Sequence, residues 1–211
     1  MRVVIAILLA AAAAAANAQG DVGLVNLVNG EVSFVPQAGQ PGKVKAFMKV
    51  REGDRFNLPD GAQVRVVYFD GSRQERWDGP SSFRAAKTEG TPINGQAKEV
   101  TRLPGTTSAR ISRVPELMQN AKLGGIQVRG AQSSRQVSPE ALDEARATYQ
   151  KLRTQMAADD ITPELFLFSA LNDYQLYEEM APLVSEMQRK QPGNEDVKNL
   201  ATWLGSRRGT K

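Results

Sequence analysis

Two hydrophobic periods follow one another along the chain. From Asp21 to Arg84 apolar residues come in short or alternating runs, and from Ser138 onward they recur every three or four residues. The first pattern is that of strands, whose successive side chains face opposite ways; the second is that of amphipathic helices. Asp21–Val28 is the first predicted strand. Residues 30–35 follow, with Val32 and Phe34 on one face. Residues 43–50 are expected to begin as one alternating strand, with Val44, Ala46, Met48 and Val50 inward and Lys43, Lys45 and Lys49 outward.

The pattern is densest between Gly53 and Gly79. Gly53-Asp54, Pro59-Asp60-Gly61, Asp70-Gly71 and Asp78-Gly79-Pro80 mark tight turns, and Asp70-Gly71 is the strongest hairpin signal. Phe56 and Leu58 form a brief strand. In Gln63–Phe69, Val64, Val66 and Tyr68 fill one face while Val67 and Phe69 occupy the other, so cover on both sides is expected. Ser72–Trp77 is expected to return as a polar strand exposed along most of its length, and Ser82–Arg84 to add another.

Residues 86–109, poor in apolar side chains, read as a long loop with room for a strand near Ala97–Val100. Val114–Leu123 is a candidate short helix, Gly124–Gly130 a last strand, and 131–137 a linker. Ser138-Pro139 and Thr162-Pro163 then have the form of helix starts, a capping residue followed by proline. Leu142, Ala145, Tyr149, Leu152 and Met156 make one helix face. Leu165–Leu171 is apolar all round and predicts burial between neighbours. Leu176, Met180, Leu183, Val184 and Met187 form the next stripe, and Val197, Leu200, Ala201 and Leu204 the last. The fold class is therefore α+β: an all-β part over 19–130 with a loop-rich second half, then an all-α segment over 138–206.

The first residues change the picture of destination. Arg2 is followed by an apolar run to Ala16 and by Ala16-Asn17-Ala18. That is the form of an export signal cleaved after Ala18, and the run is short for a membrane span of about 20 residues. No other span is expected, and the mature protein is expected in the periplasm.

Composition narrows the chemistry. The chain of 211 residues contains no Cys and no His. Thiolate nucleophiles, His-based triads and His or Cys zinc sites are thereby excluded. No cofactor, metal or catalytic residue is expected. The balance of 27 Lys and Arg against 23 Asp and Glu is only mildly basic, and nucleic acid is not an expected partner of an exported chain. The candidate surface for an anionic partner is the row Lys43, Lys45, Lys49 and Arg51, with Arg65, Arg73 and Arg76 as its extension; the competing reading is a solvated, lysine-guarded strand edge. Asp54, Asp60, Asp70 and Asp78 read as corners whose side chains bond their own backbone rather than as a carboxylate cluster. Trp77 is read as closing the end of a small β core, with an aromatic binding platform as the alternative. Tyr149, Phe166, Phe168 and Met180 read as core, and Glu178 and Glu179 as a solvated helix face.

The turns and strands together resemble a known family. Gly30-x-Val32, Gly53-Asp54, Asp60-Gly61-Ala62-x-Val64 and Val66-x-Tyr68-x-Asp70-Gly71-Ser72 are similar to the FecR-type domain, named for the periplasmic part of ferric citrate regulators. The resemblance covers roughly residues 22–85. It implies short strands in a solenoid-like or sandwich-like arrangement and a periplasmic binding or sensing role. The regulators' sigma-factor-binding segment and membrane span have no counterpart here, so transmembrane signalling is not implied. The helical tail resembles a degenerate tetratricopeptide-like set, and a small bundle explains its stripes equally well. The expected function is a non-catalytic module that binds another envelope protein. The alternatives are an accessory protein binding peptidoglycan or another glycan, and a carboxylate-based glycan hydrolase.

Overall fold

A computed structural model describes residues 20–122 and 138–208. The expected export signal, the strand at Gly124–Gly130 and the linker lie outside the described residues. Ten strands come first: β1 (Asp21–Asn29), β2 (Ser33–Val35), β3 (Gly42–Lys43), β4 (Lys49–Arg51), β5 (Arg55–Leu58), β6 (Gln63–Tyr68), β7 (Arg73–Asp78), β8 (Ser81–Ala85), β9 (Gly90–Asn94) and β10 (Glu99–Arg102). Six helices follow: α1 (Gly105–Ile111), α2 (Val114–Lys122), α3 (Pro139–Gln155), α4 (Thr162–Asp173), α5 (Tyr177–Lys190) and α6 (Glu195–Arg208).

The strands form two antiparallel five-stranded sheets, ordered β10-β7-β6-β1-β4 (sheet 1) and β3-β2-β5-β8-β9 (sheet 2). Sheet 1 is covered on both faces. Val25, Val64, Val66, Tyr68 and Trp77 share a core with Phe56, Leu58 and Phe83 of sheet 2, whereas Leu24 and Val67 join the helical core. The two-sided burial of β6 agrees with its pattern. Phe34, Phe56 and Phe83 lie opposite one another across β2, β5 and β8. Their rings stack, Phe56 on Phe83 with centroids 4.8 Å apart and Trp77 on Phe83 at 4.4 Å. Such pairs contribute about 0.5–1.5 kcal/mol each beyond area burial.

Three sequence expectations are corrected. Residues 43–50 are two strands in different sheets, because the chain crosses from sheet 2 to sheet 1 at a corner where Phe47 takes a φ of 58°. That corner sends Phe47 into the helical core and leaves Lys45 exposed. β7 is largely buried, not exposed: Trp77 and Glu75 point into the sheet-sheet core and Gln74 faces the helices. Its polar groups are tolerated because they are bonded. Glu75 Oε2 accepts from Trp77 Nε1 at 2.9 Å and from the Gly90 N–H at 3.0 Å, while Arg73 lies 2.7 Å from Oε1. Residues 86–109 are not a long loop. They supply β9, β10 and the start of α1, and Ile111, Val114 and Met118 enter the helical core.

The Asp70-Gly71 hairpin joins β6 to β7 as expected, but Ser72 rather than Gly71 takes the positive φ, 44°. Gly71 is needed for space, since a Cβ there would collide with the Thr88 carbonyl.

The helical stripes bury as their spacing predicts, with Tyr149, Leu176 and Ala201 only partly covered. Ser138 caps α3 by accepting the Ala141 N–H. α4 is buried over its first ten residues, 162–171, consistent with a helix apolar on every side. Thr162 does not cap it. Asp160 accepts the Thr162 N–H at 2.8 Å, and the Thr162 hydroxyl is used elsewhere. Successive helices α3 to α6 pack on one another, α1 packs on α4 and α2 on α6. Among the described residues, no helix is long and apolar enough to cross a membrane.

Candidate binding cleft between the sheet and the helices

A strand with a polar residue in an apolar run must bond that residue or leave it unsatisfied. Asn26 in β1 and Arg65 in β6 are such residues, 1 % and 2 % exposed. Together with Gln74 of β7 they form a polar strip on the helix-facing side of sheet 1. The segment before α4 supplies their partners. Asn26 Nδ2 lies 3.0 Å from Gln74 Oε1 and 2.5 Å from Thr162 Oγ1. Gln74 Nε2 donates to Asp160 Oδ2 at 2.5 Å. Arg65 lies 3.5 Å from Asp159 and 3.7 Å from Asp160.

A second ionic centre adjoins the first. Glu164, fully buried in α4, accepts from Arg153 of α3 at 3.0 Å and from Lys190 of α5 at 2.9 Å. Lys190 also donates to the Asp160 carbonyl at 3.2 Å, and Gln191 Nε2 to the Asn26 carbonyl at 3.1 Å. These bonds run from the α5–α6 connection through the start of α4 to the centre of sheet 1. Burial raises the pKa of the Tyr149 hydroxyl beside this centre, and the Glu164 charge adds to that shift.

At the margin of this network lies a cleft of about 880 Å³. Its sheet side is the end of β1 and the corner Val44–Ala46. Its helix side is Asp159, the connection 190–194 and the first turns of α6 as far as Asn199. The α6 wall is fixed by Asn194, whose Oδ1 accepts the N–H groups of Asp196 and Val197. The lining is rich in amides and charges: Asn29, Lys45, Asp159, Gln191, Asn194, Glu195, Asp196 and Asn199. Several charges are already engaged, Asp159 with Arg65, Glu195 with Lys198 and Lys190 with Glu164.

The candidate basic row is divided by this fold. Only Lys45 lines the cleft. Lys43, on β3, lies 2.5 Å from Glu31; Lys49 and Arg51, on β4, lie 2.6 and 3.9 Å from Asp21. Arg65 is buried, Arg73 pairs with Glu75 and Glu89, and Arg76 with Asp78. The four Asp residues do not converge either. Asp54 accepts the Arg51 N–H at 2.9 Å, closing its own turn, and burial raises its carboxyl pKa. Asp70 lies beside Lys87 and Asp78 beside Arg76. Trp77 is 1 % exposed and belongs to the core. Glu178 and Glu179 lie on an exposed helix face, paired with Arg208 and Arg146.

The seam residues Asn26, Arg65, Gln74, Asp160 and Glu164 were not singled out by sequence reasoning. A signal was available for two of them. Asn26 interrupts Val22–Val28 and Arg65 interrupts Val64–Tyr68, each a lone polar residue in an apolar run. Among the described residues, no group of three or more Asp or Glu is placed to hold a metal ion. Comparison with family models, with curated proteins and with solved structures returned no match.

Proposed function

We propose that the protein is an exported, non-catalytic binding module of the cell envelope, and that it meets a partner protein at the cleft between sheet 1 and the helices. In this reading the two sheets form a FecR-like sandwich and the helices a small bundle or degenerate repeat stacked on it. The observation that carries the reading is the cleft itself. Its two walls come from different halves of the chain, and the buried bonds Gln74–Asp160 and Gln191–Asn26 hold them together. A site preformed in this way binds without the cost of ordering its walls. The absence of His and Cys, and the pairing of Asp159 and Glu195 with basic neighbours, support binding over catalysis.

The test is photo-crosslinking in cells, with a photoreactive residue placed singly at Lys45 and at Asn199, followed by fractionation. The expected result is a protein of Met1–Ala18-cleaved mass in the periplasmic fraction that forms one discrete adduct with an envelope protein from both positions. Retention on washed sacculi with no protein adduct would replace this reading with cell-wall binding.

A further inference from the structure

The outer face of sheet 2 carries a charge arrangement that the cleft does not explain. Side chains that alternate with Phe34, Phe56 and Phe83 point away from the core. Register places them in two rows across the sheet. One row is Lys43, Ser33, Asn57, Ser82 and Asn94; the other is Val35, Arg55, Arg84 and Thr91. Neither row contains an acidic residue, and Arg55 and Arg84 are both exposed. They are also direct cross-strand partners, which sets their Cβ atoms about 5 Å apart, a like-charge placement that destabilises a sheet. Among the described residues, neither guanidinium forms an ion pair or a side-chain hydrogen bond. The arginines Arg73, Arg76, Arg113 and Arg146 each have a carboxylate partner.

We propose that this face is a docking surface for an acidic glycan, a linear polysaccharide bearing carboxylates. Two adjacent planar guanidinium forks match carboxylate geometry, and each such charge-assisted pair is stronger than a neutral hydrogen bond. The parallel row of hydroxyls and amides offers donors and acceptors to a hydroxyl-rich chain lying across the strands. A protein partner fits less well. Its two rows contain one apolar side chain, Val35, and no aromatic one, whereas protein interfaces centre on buried aromatic anchors. The surface is separate from the cleft, so its occupancy does not depend on the partner proposed there.

The test uses the purified full-length mature protein with three probes: polygalacturonate, the same polymer with its carboxylates methyl-esterified, and poly-L-glutamate. The variant is Arg55→Gln/Arg84→Gln. The control is Lys49→Gln/Arg51→Gln, which removes the same charge from the edge of sheet 1. The expected result is binding of polygalacturonate that weakens with salt and is undetectable for the ester. Each lost arginine pair lowers affinity about tenfold or more, and the control stays within about twofold of wild type at moderate salt, where distant charges are screened. Both altered side chains are exposed, and relief of like-charge repulsion should raise the unfolding midpoint of the double variant, which excludes misfolding as the cause of lost binding. Equal binding by the double variant, equal loss in the control, or poly-L-glutamate binding as tight as polygalacturonate would each overturn the proposal. None of these outcomes bears on crosslinking at the cleft.

Discussion

Sheet 1 has two buried faces, built on different principles. The face toward sheet 2 is apolar and aromatic: Val25, Val64, Val66, Tyr68 and Trp77 against Phe56 and Phe83. The face toward the helices adds to Leu24 and Val67 a polar strip of Asn26, Arg65 and Gln74, matched by Asp160, Thr162 and Gln191. Apolar burial is strong but weakly directional, so the first face supplies stability and tolerates small shifts. Hydrogen-bonded and ionic groups are satisfied only in one arrangement. The second face therefore sets how the helices sit on the sheet, and with that the shape of the cleft.

The largest expected effects come from breaking either face at its centre. Glu164→Gln leaves Arg153 and Lys190 without their buried counter-charge and should destabilise by about 3–5 kcal/mol. Phe83→Ala removes the ring between Phe56 and Trp77 and should cost a similar 3–5 kcal/mol. Urea unfolding compares them, and the faces differ in what rescues them. Replacing Glu164, Arg153 and Lys190 together by apolar residues of similar volume should recover much of the loss, as buried ion pairs commonly allow. No single substitution elsewhere should rescue Phe83→Ala.

Asp160→Asn should have a smaller effect, about 1–3 kcal/mol. It keeps the shape but weakens the bonds to Arg65 and to the Thr162 N–H, and it puts an amide N–H₂ where an acceptor is required. Crosslinking from Asn199 should fall with it, whereas Phe83→Ala should spare the cleft in the molecules that remain folded.

The apolar face also contains a titrating carboxyl. Burial raises the Glu75 pKa above 4.5, against the lowering influence of Trp77 and Arg73. A carboxyl whose folded-state pKa lies above its unfolded value stabilises the fold fully below the unfolded value. That contribution is lost as pH rises through the folded value. Wild-type stability should therefore fall over that window above pH 4.5, and Glu75→Gln should flatten the fall, as read from urea midpoints across a pH series. The smallest effect lies outside both faces. Arg189 and Lys190 hold the half-buried Glu186 carboxyl down to about 2. Its stabilisation is present above 4.5 and fades as pH drops toward 2, and Glu186→Gln at neutral pH should cost no more than a few tenths of a kcal/mol, as for surface pairs.

Legibility in the sequence followed the same division. The apolar face was readable. The alternation in Gln63–Phe69 predicted which side chains point each way, and the stripes of α3 to α6 predicted the helical core. The polar face was not, because a buried Asn or Arg looks like a solvated one until its partner is known, and the partners lie far along the chain: Asn26 meets Thr162, and Arg65 meets Asp159. β7 failed for that reason, since Arg-Gln-Glu-Arg-Trp-Asp has the composition of an exposed strand and is buried through bonds to residues outside it. The basic row failed differently. A continuous alternation over 43–50 conceals a corner at Phe47 that moves Lys43 and Lys49 into different sheets, and no periodicity reports a positive φ.

The central claim is that the polar seam joins sheets and helices into one cooperative unit, which keeps the cleft between them formed. The chain has two tryptophans, Trp77 in the sheet core and Trp203 among the helices. In a Trp203→Phe variant, Trp77 fluorescence reports the sheets alone while far-UV circular dichroism reports chiefly the helices. Urea unfolding followed by both signals should give coincident transitions with one midpoint and one slope. Two separated transitions, with the helical signal lost while Trp77 remains native, would contradict the account.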